Sequence, residues 1–93
     1  MSQKYRVIAK APIGAQLNTL RKFGAPQQFD KNLYMFNKVF KTEAEAIEYL
    51  KSRAEIYIPN ERELSEAVSD IEMYGSLTLD LVTAQIEKTK NIY

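Results

Sequence analysis

The chain has 93 residues, 45% hydrophobic and 27% charged, with a net charge of +1 and neither histidine nor cysteine. That length makes a single compact domain over 1–93 with room for a modest core. The missing residue types exclude a Cys/His zinc site, a thiolate nucleophile, a Ser-His-Asp triad and any disulfide.

In "KYRVIAKAPI", Tyr5, Val7 and Ala9 alternate with Arg6, Ile8 and Lys10. This predicts a strand over 4–11, closed by Pro12 and Gly14. Ile13, Leu17 and Leu20 then recur at helical spacing. Arg21 and Lys22 suit a helix C-terminus, and Gly24 and Pro26 suit its end, so a short helix is expected over 15–23.

"NLYMFNKVFKT", residues 32–42, is rich in aromatic and β-branched residues and reads as a strand. One face holds Leu33, Met35, Asn37, Val39 and Lys41, the other Tyr34, Phe36, Lys38 and Phe40. Thr42 and Glu45 form a capping box that opens a helix to about Glu55, with Ile47, Leu50 and Ala54 as its core face. Ile58 before Pro59 leaves helical geometry. Asn60 and Glu63 start a second helix with Leu64, Val68 and Ile71 on one face, ended by Gly75. Residues 76–90 fit two patterns. Leu77, Leu79 and Leu81 alternate as in a strand, while Leu79, Val82 and Ile86, with Glu87 and Lys90, fit a helix.

These elements predict an α+β fold: a small antiparallel sheet covered by two longer helices and one short one, arranged as a ferredoxin-like or split βαβ unit. The aromatic face of the 32–42 strand is expected to pack the helices. Leu33, Met35 and Val39 would then need cover of their own, with the C-terminal segment as the candidate.

Charge is unevenly spread. Residues 1–42 carry eight basic residues against Asp30, a net of +7, and residues 43–93 carry five against eleven acidic, a net of −6. The abrupt switch at residue 43 has a local cause, because carboxylates belong where the helix dipole begins. The lysines before it have no such explanation. A basic, aromatic stretch can mark a nucleic-acid surface. That reading would use residues 4–41, with Arg21, Lys22, Lys31, Tyr34, Phe36, Lys38 and Lys41 as its site, although the glycines and spacing of RNA-recognition sheets are missing.

Further along, "NKVFKTEAEAIEYLKSRAE" resembles the last strand and helix of the small three-stranded DNA-binding arm of tyrosine recombinases. The resemblance covers 19 of the 93 residues and implies DNA binding. Ahead of it, "APIGAQLNTLRKFGAPQQFDKN" stands where that arm has tight hairpins.

Glu63, Glu66 and Asp70 share one face of the second long helix. Such a row offers oxygens to Mg²⁺ or Ca²⁺, but it is more often a solvated face. Here it is read as a stripe opposite Leu64, Val68 and Ile71, open to a basic partner. No Gly-rich phosphate loop is present.

The leading expectation is a non-enzymatic binding protein, without metal or cofactor, that regulates or inhibits another protein as many small phage and mobile-element factors do. A homodimer falls within this reading. The start lacks a signal-peptide pattern and no apolar run nears the ~20 residues of a membrane span, so a cytoplasmic location and no membrane partner are expected. Nucleic-acid binding is the alternative. The aromatics separate the two: buried, with an apolar or acidic patch exposed, they favour a protein partner; exposed among lysines, they favour nucleic acid.

Overall fold

The computed structural model describes residues 4–12, 17–30 and 33–89. In chain order these form β1 (Lys4–Pro12), α1 (Leu17–Leu20), β2 (Gln27–Asp30), β3 (Leu33–Phe40), α2 (Glu43–Tyr57), α3 (Glu61–Tyr74), β4 (Ser76–Leu79) and β5 (Val82–Thr89). One five-stranded sheet has the order β2-β3-β1-β5-β4, with every neighbouring pair antiparallel. β3 lies between β1 and β2, and β1 lies between β3 and β5. That is the connectivity of two interlocked split βαβ units, with β4 added at one edge. The α+β expectation holds.

The pleat of β1 decides the layering. Val7, Ala9 and Ala11 are buried, and across the register lie Lys38, Phe36 and Tyr34 of β3. Ile86 and Ala84 of β5 flank Val7 and Ala9 on the other side. Leu77 and Leu79 extend the same face on β4. Onto it pack Leu20 at the end of α1 and Phe23 in the turn after it, then Ala46, Leu50 and Ala54 of α2 and Ile71 of α3. Small residues on both sides, Ala9, Ala11 and Ala84 below and Ala46 and Ala54 above, let α2 approach the sheet closely. Ala46 therefore takes the fully buried place expected for Ile47, which lies at the margin of the core.

Both long helices begin as the sequence predicts. The Thr42 hydroxyl accepts the Glu45 amide at 3.2 Å, and Asn60 accepts the Glu63 amide at 3.0 Å. The Glu45 carboxylate accepts a hydrogen bond from the Thr42 hydroxyl at 3.2 Å and not from a backbone amide, which completes the box differently from the usual pairing. Thr42→Ala is expected to lower stability by about 0.5–2 kcal/mol, measured as a shifted urea midpoint at unchanged slope. An unmoved midpoint would remove the cap from the account.

The structure corrects one helix, adds one strand and decides the segment left open. α1 ends before 23: after Leu20 the chain tightens into i→i−3 bonds, Lys22 to Thr19 and Phe23 to Leu20, both at 3.0 Å. Residues 13–16, with the predicted Gly14 stop, lie outside the described residues. β2 was not foreseen. The segment 76–89 is a hairpin and not a helix, turning through Asp80 and Leu81 with Asp80 at φ +54°. Leu81 sits in that turn at 83% exposure, so the alternation of Leu77 and Leu79 resumes in Val82 and Ala84. The hairpin pairs with β1 in the plane of the sheet, and so it does not cover Leu33, Met35 and Val39. No helix among the described residues is long and apolar enough to cross a membrane.

Candidate functional site

Three surfaces compete for function: one on the open side of the sheet, and two on the helix side that meet at Tyr57. The first is the face of the sheet away from the helices. Ile8 lies diagonally between Met35 and Val39, because Lys10 pairs with Met35 and Arg6 with Val39. Leu33 continues the row opposite Pro12. Leu33, Met35 and Ile8 are half-buried and Val39 is 38% exposed, and none of the four belongs to the core cluster. Lys4, Arg6 and Lys10 share this face by the alternation of β1. Arg6 is held by Glu87 of β5 at 2.8 Å. No helix covers this face among the described residues.

The second surface is the acidic flank of α3. Glu63, Glu66 and Asp70 are all exposed, while Ile71 on the opposite side is buried and Leu64 packs against the core. The three line a groove of about 340 Å³ between α3 and β4, with Tyr57, Ile58 and Pro59 at one end and Thr78 along the strand. None makes an ion pair with a described residue. Asp80 closes the groove and differs from them: Lys22 reaches it at 2.9 Å and Thr19 donates to it at 3.2 Å. The Lys22 hydrogen bond, then its charge, hold the Asp80 carboxyl below the usual carboxylate range. No three carboxylates among the described residues are grouped to hold a metal ion. Glu63→Gln, Glu66→Gln and Asp70→Gln together should leave the fold and its melting midpoint nearly unchanged, since exposed charges contribute about 0–1 kcal/mol each. Unfolding of that triple variant would make the flank part of the scaffold.

The third surface is not among the sites expected from the sequence. Tyr49, Arg53 and Tyr57, spaced i, i+4, i+8, form a ladder along α2. The Arg53 guanidinium lies 5.7 Å from the Tyr49 ring centre and 5.9 Å from that of Tyr57. Lys38 stands 5.0 Å over Tyr49, and Lys22 stands 5.6 Å over Tyr57. The same residues grip the 21–24 turn: Tyr49 donates to the Phe23 carbonyl, and Arg53 Nε donates to the Lys22 carbonyl at 2.8 Å. Burial pushes the Tyr49 hydroxyl above its usual value, with the Arg53 charge opposing. The helical spacing was legible; the turn it would grip was not.

The residues named for nucleic acid are brought together only in part, Lys22 and Lys38 meeting the Tyr49–Arg53–Tyr57 ladder. Phe36 is 5% exposed, stacked on Tyr49 with ring centres 6.0 Å apart. It cannot offer a face to a base while the core is intact. Tyr34 packs against the same cluster. Lys22 is engaged with Asp80, and Arg21 donates to Asn18 at 3.1 Å. Lys38 and Lys41 are exposed, and Lys31 lies outside the described residues. Of the two aromatics named for stacking, Phe36 is therefore inside the protein and Tyr34 is half-buried. The sheet also has five strands where the recombinase arm has three.

Compared with protein-family models, with curated proteins and with solved structures, the chain matches none.

Proposed function

We propose that the chain is a small non-enzymatic binding protein that regulates or inhibits a larger partner through a protein–protein interface. The observation that carries this reading is the uncovered sheet face with Ile8, Leu33, Met35 and Val39 at its centre. An antiparallel sheet tolerates water on one face when that face is polar. Here β3 carries apolar residues on both faces, and its outer row is mixed as interfaces are: Leu33, Met35 and Val39 with Ile8 beside them, interleaved with Asn37 and Gln85, which flank Ile8, and Lys10, which pairs with Met35. The buried aromatics weigh the same way, because they remove the platform on which single-stranded nucleic acid would stack.

The test is a paired capture from the native host. Met35→Glu with Val39→Glu should cost about 1 kcal/mol or less, since neither side chain is in the core. The tagged parent is expected to retain one protein that the double variant loses. If the parent self-associates instead, sedimentation at several concentrations reports it, and a second copy is then the cover. Equal recovery of the same protein by both forms would move the interface elsewhere. Retention of nucleic acid alone, falling steeply with salt, would overturn the reading.

A further inference from the structure

We infer that the groove between α3 and the free edge of β4 is a strand-addition site for an extended, lysine- or arginine-rich segment of another protein. The inference uses a different surface from the open sheet face and rests on the proposed protein-binding function only for the class of partner.

β4 ends the strand order and, among the described residues, pairs with β5 alone. The Ile86 amide donates to the Gly75 carbonyl at 2.7 Å, which makes Gly75 and Ile86 a hydrogen-bonded pair just beyond the strand. Antiparallel pairs alternate between bonded and non-bonded, so Leu77–Ala84 and Leu79–Val82 are bonded and Ser76–Gln85 and Thr78–Thr83 are not. The 2.7 Å approach of the Thr78 and Thr83 hydroxyls fits the closer side-chain spacing of a non-bonded pair. It follows that the N–H and C=O of Ser76 and Thr78 point away from β5, toward the open edge. Such an edge is a template for an added strand.

The same two residues line the groove. Thr78 borders the 340 Å³ depression, and Ser76, Leu77 and Thr78 border a smaller one of about 100 Å³ that shares Ala67 and Asp70 with it. Backbone partners thus form one wall, and Glu63, Glu66 and Asp70 lie along the other. The remaining free edge of the sheet differs. β2 is as short as β4, at four residues, but its pairing with β3 slips between Gln28 and Asp30, a device that blunts an edge, whereas the β4 register with β5 is regular.

Charge selects the occupant. α3 carries five carboxylates and one basic residue, Arg62, and the three carboxylates on the groove form no ion pair with a described residue. In an added strand alternate side chains face the same way, about 7 Å apart. Glu63 to Asp70 spans about 10 Å along the helix, so two alternate lysines meet three carboxylates. An anionic ligand is repelled at this wall.

The probe is a fluorescein-labelled octapeptide alternating lysine with valine, followed by anisotropy and by hydrogen exchange. Saturable, salt-sensitive binding is expected, weakened about two- to fivefold for each of Glu63→Gln, Glu66→Gln and Asp70→Asn. The same peptide N-methylated at the amides facing β4 keeps its charge and is expected to bind about fivefold more weakly or worse. The Ser76 and Thr78 amides should exchange freely in the protein alone and be protected in the complex. Absence of saturable binding, equal binding of the N-methylated peptide, or protection at β2 or on the open face overturns the inference. Met35→Glu with Val39→Glu should bind the peptide normally. The two proposals therefore fail separately: loss of peptide binding with intact partner capture removes the groove, and the reverse removes the open face.

Discussion

Phe36→Ala is expected to destabilise the protein by about 3–5 kcal/mol and to lower its melting temperature by about 15–30 °C. The ring is 5% exposed and lies at the centre of the covered face, with Ala9 across the register, Tyr49 stacked above and Gly24 against its edge. Alanine and glycine have no side chain that can turn into the space a lost ring leaves, so the cavity persists and the cost falls at the upper end for such changes. The total stability of a domain this size is only about 5–15 kcal/mol, so this one change removes a large share of it. The variant also tests the nucleic-acid alternative. If Phe36 were a stacking platform, its removal would leave the melting curve in place and weaken single-strand binding by about 1–3 kcal/mol. A stable variant with lost binding would restore that alternative, and a variant that melts early from a parent that binds no labelled strand would end it.

How far the sequence reached depends on the range of each interaction. The strands β1 and β3 and the starts of α2 and α3 were legible because alternation and capping are local: Thr42 finds Glu45, and Asn60 finds Glu63, within one turn. Which face of β3 became core was also legible, because helices must cover a face and aromatics are its usual filler. The hairpin at 76–89 was ambiguous because its turn, Asp80-Leu81, lacks the glycine that normally announces such a turn. β2 was missed because four residues around a register slip carry no period. The binding surfaces depend on longer range still. β5 pairs with β1 across nearly the whole chain, and that pairing alone pushes β4 to the edge and leaves Met35 and Val39 uncovered. The sequence named Glu63, Glu66 and Asp70 as an acidic face, but the strand beside them is a product of topology.

Gly24 was read as a helix stop, and its place against Phe36 gives it another reason to be glycine. A β-carbon there would overlap three carbons of the Phe36 ring, and Gly24 holds φ at +156°, which residues with side chains rarely adopt. Gly24→Ala is therefore expected to cost about 1–3 kcal/mol through forced displacement of a packed ring. The ring has no free direction to move, since Tyr49 stacks on it and is itself tied to the Phe23 carbonyl. The cause can be separated from a general loss of backbone freedom by a double-mutant cycle with Phe36→Leu. Leucine lacks the ring edge, so the alanine methyl group gains room in that background. The double variant is expected to be more stable than the sum of the single effects predicts, by about 0.5–3 kcal/mol, read from urea midpoints at matched slopes. Strict additivity would assign the whole cost to the backbone at Gly24 and remove the ring contact from the explanation.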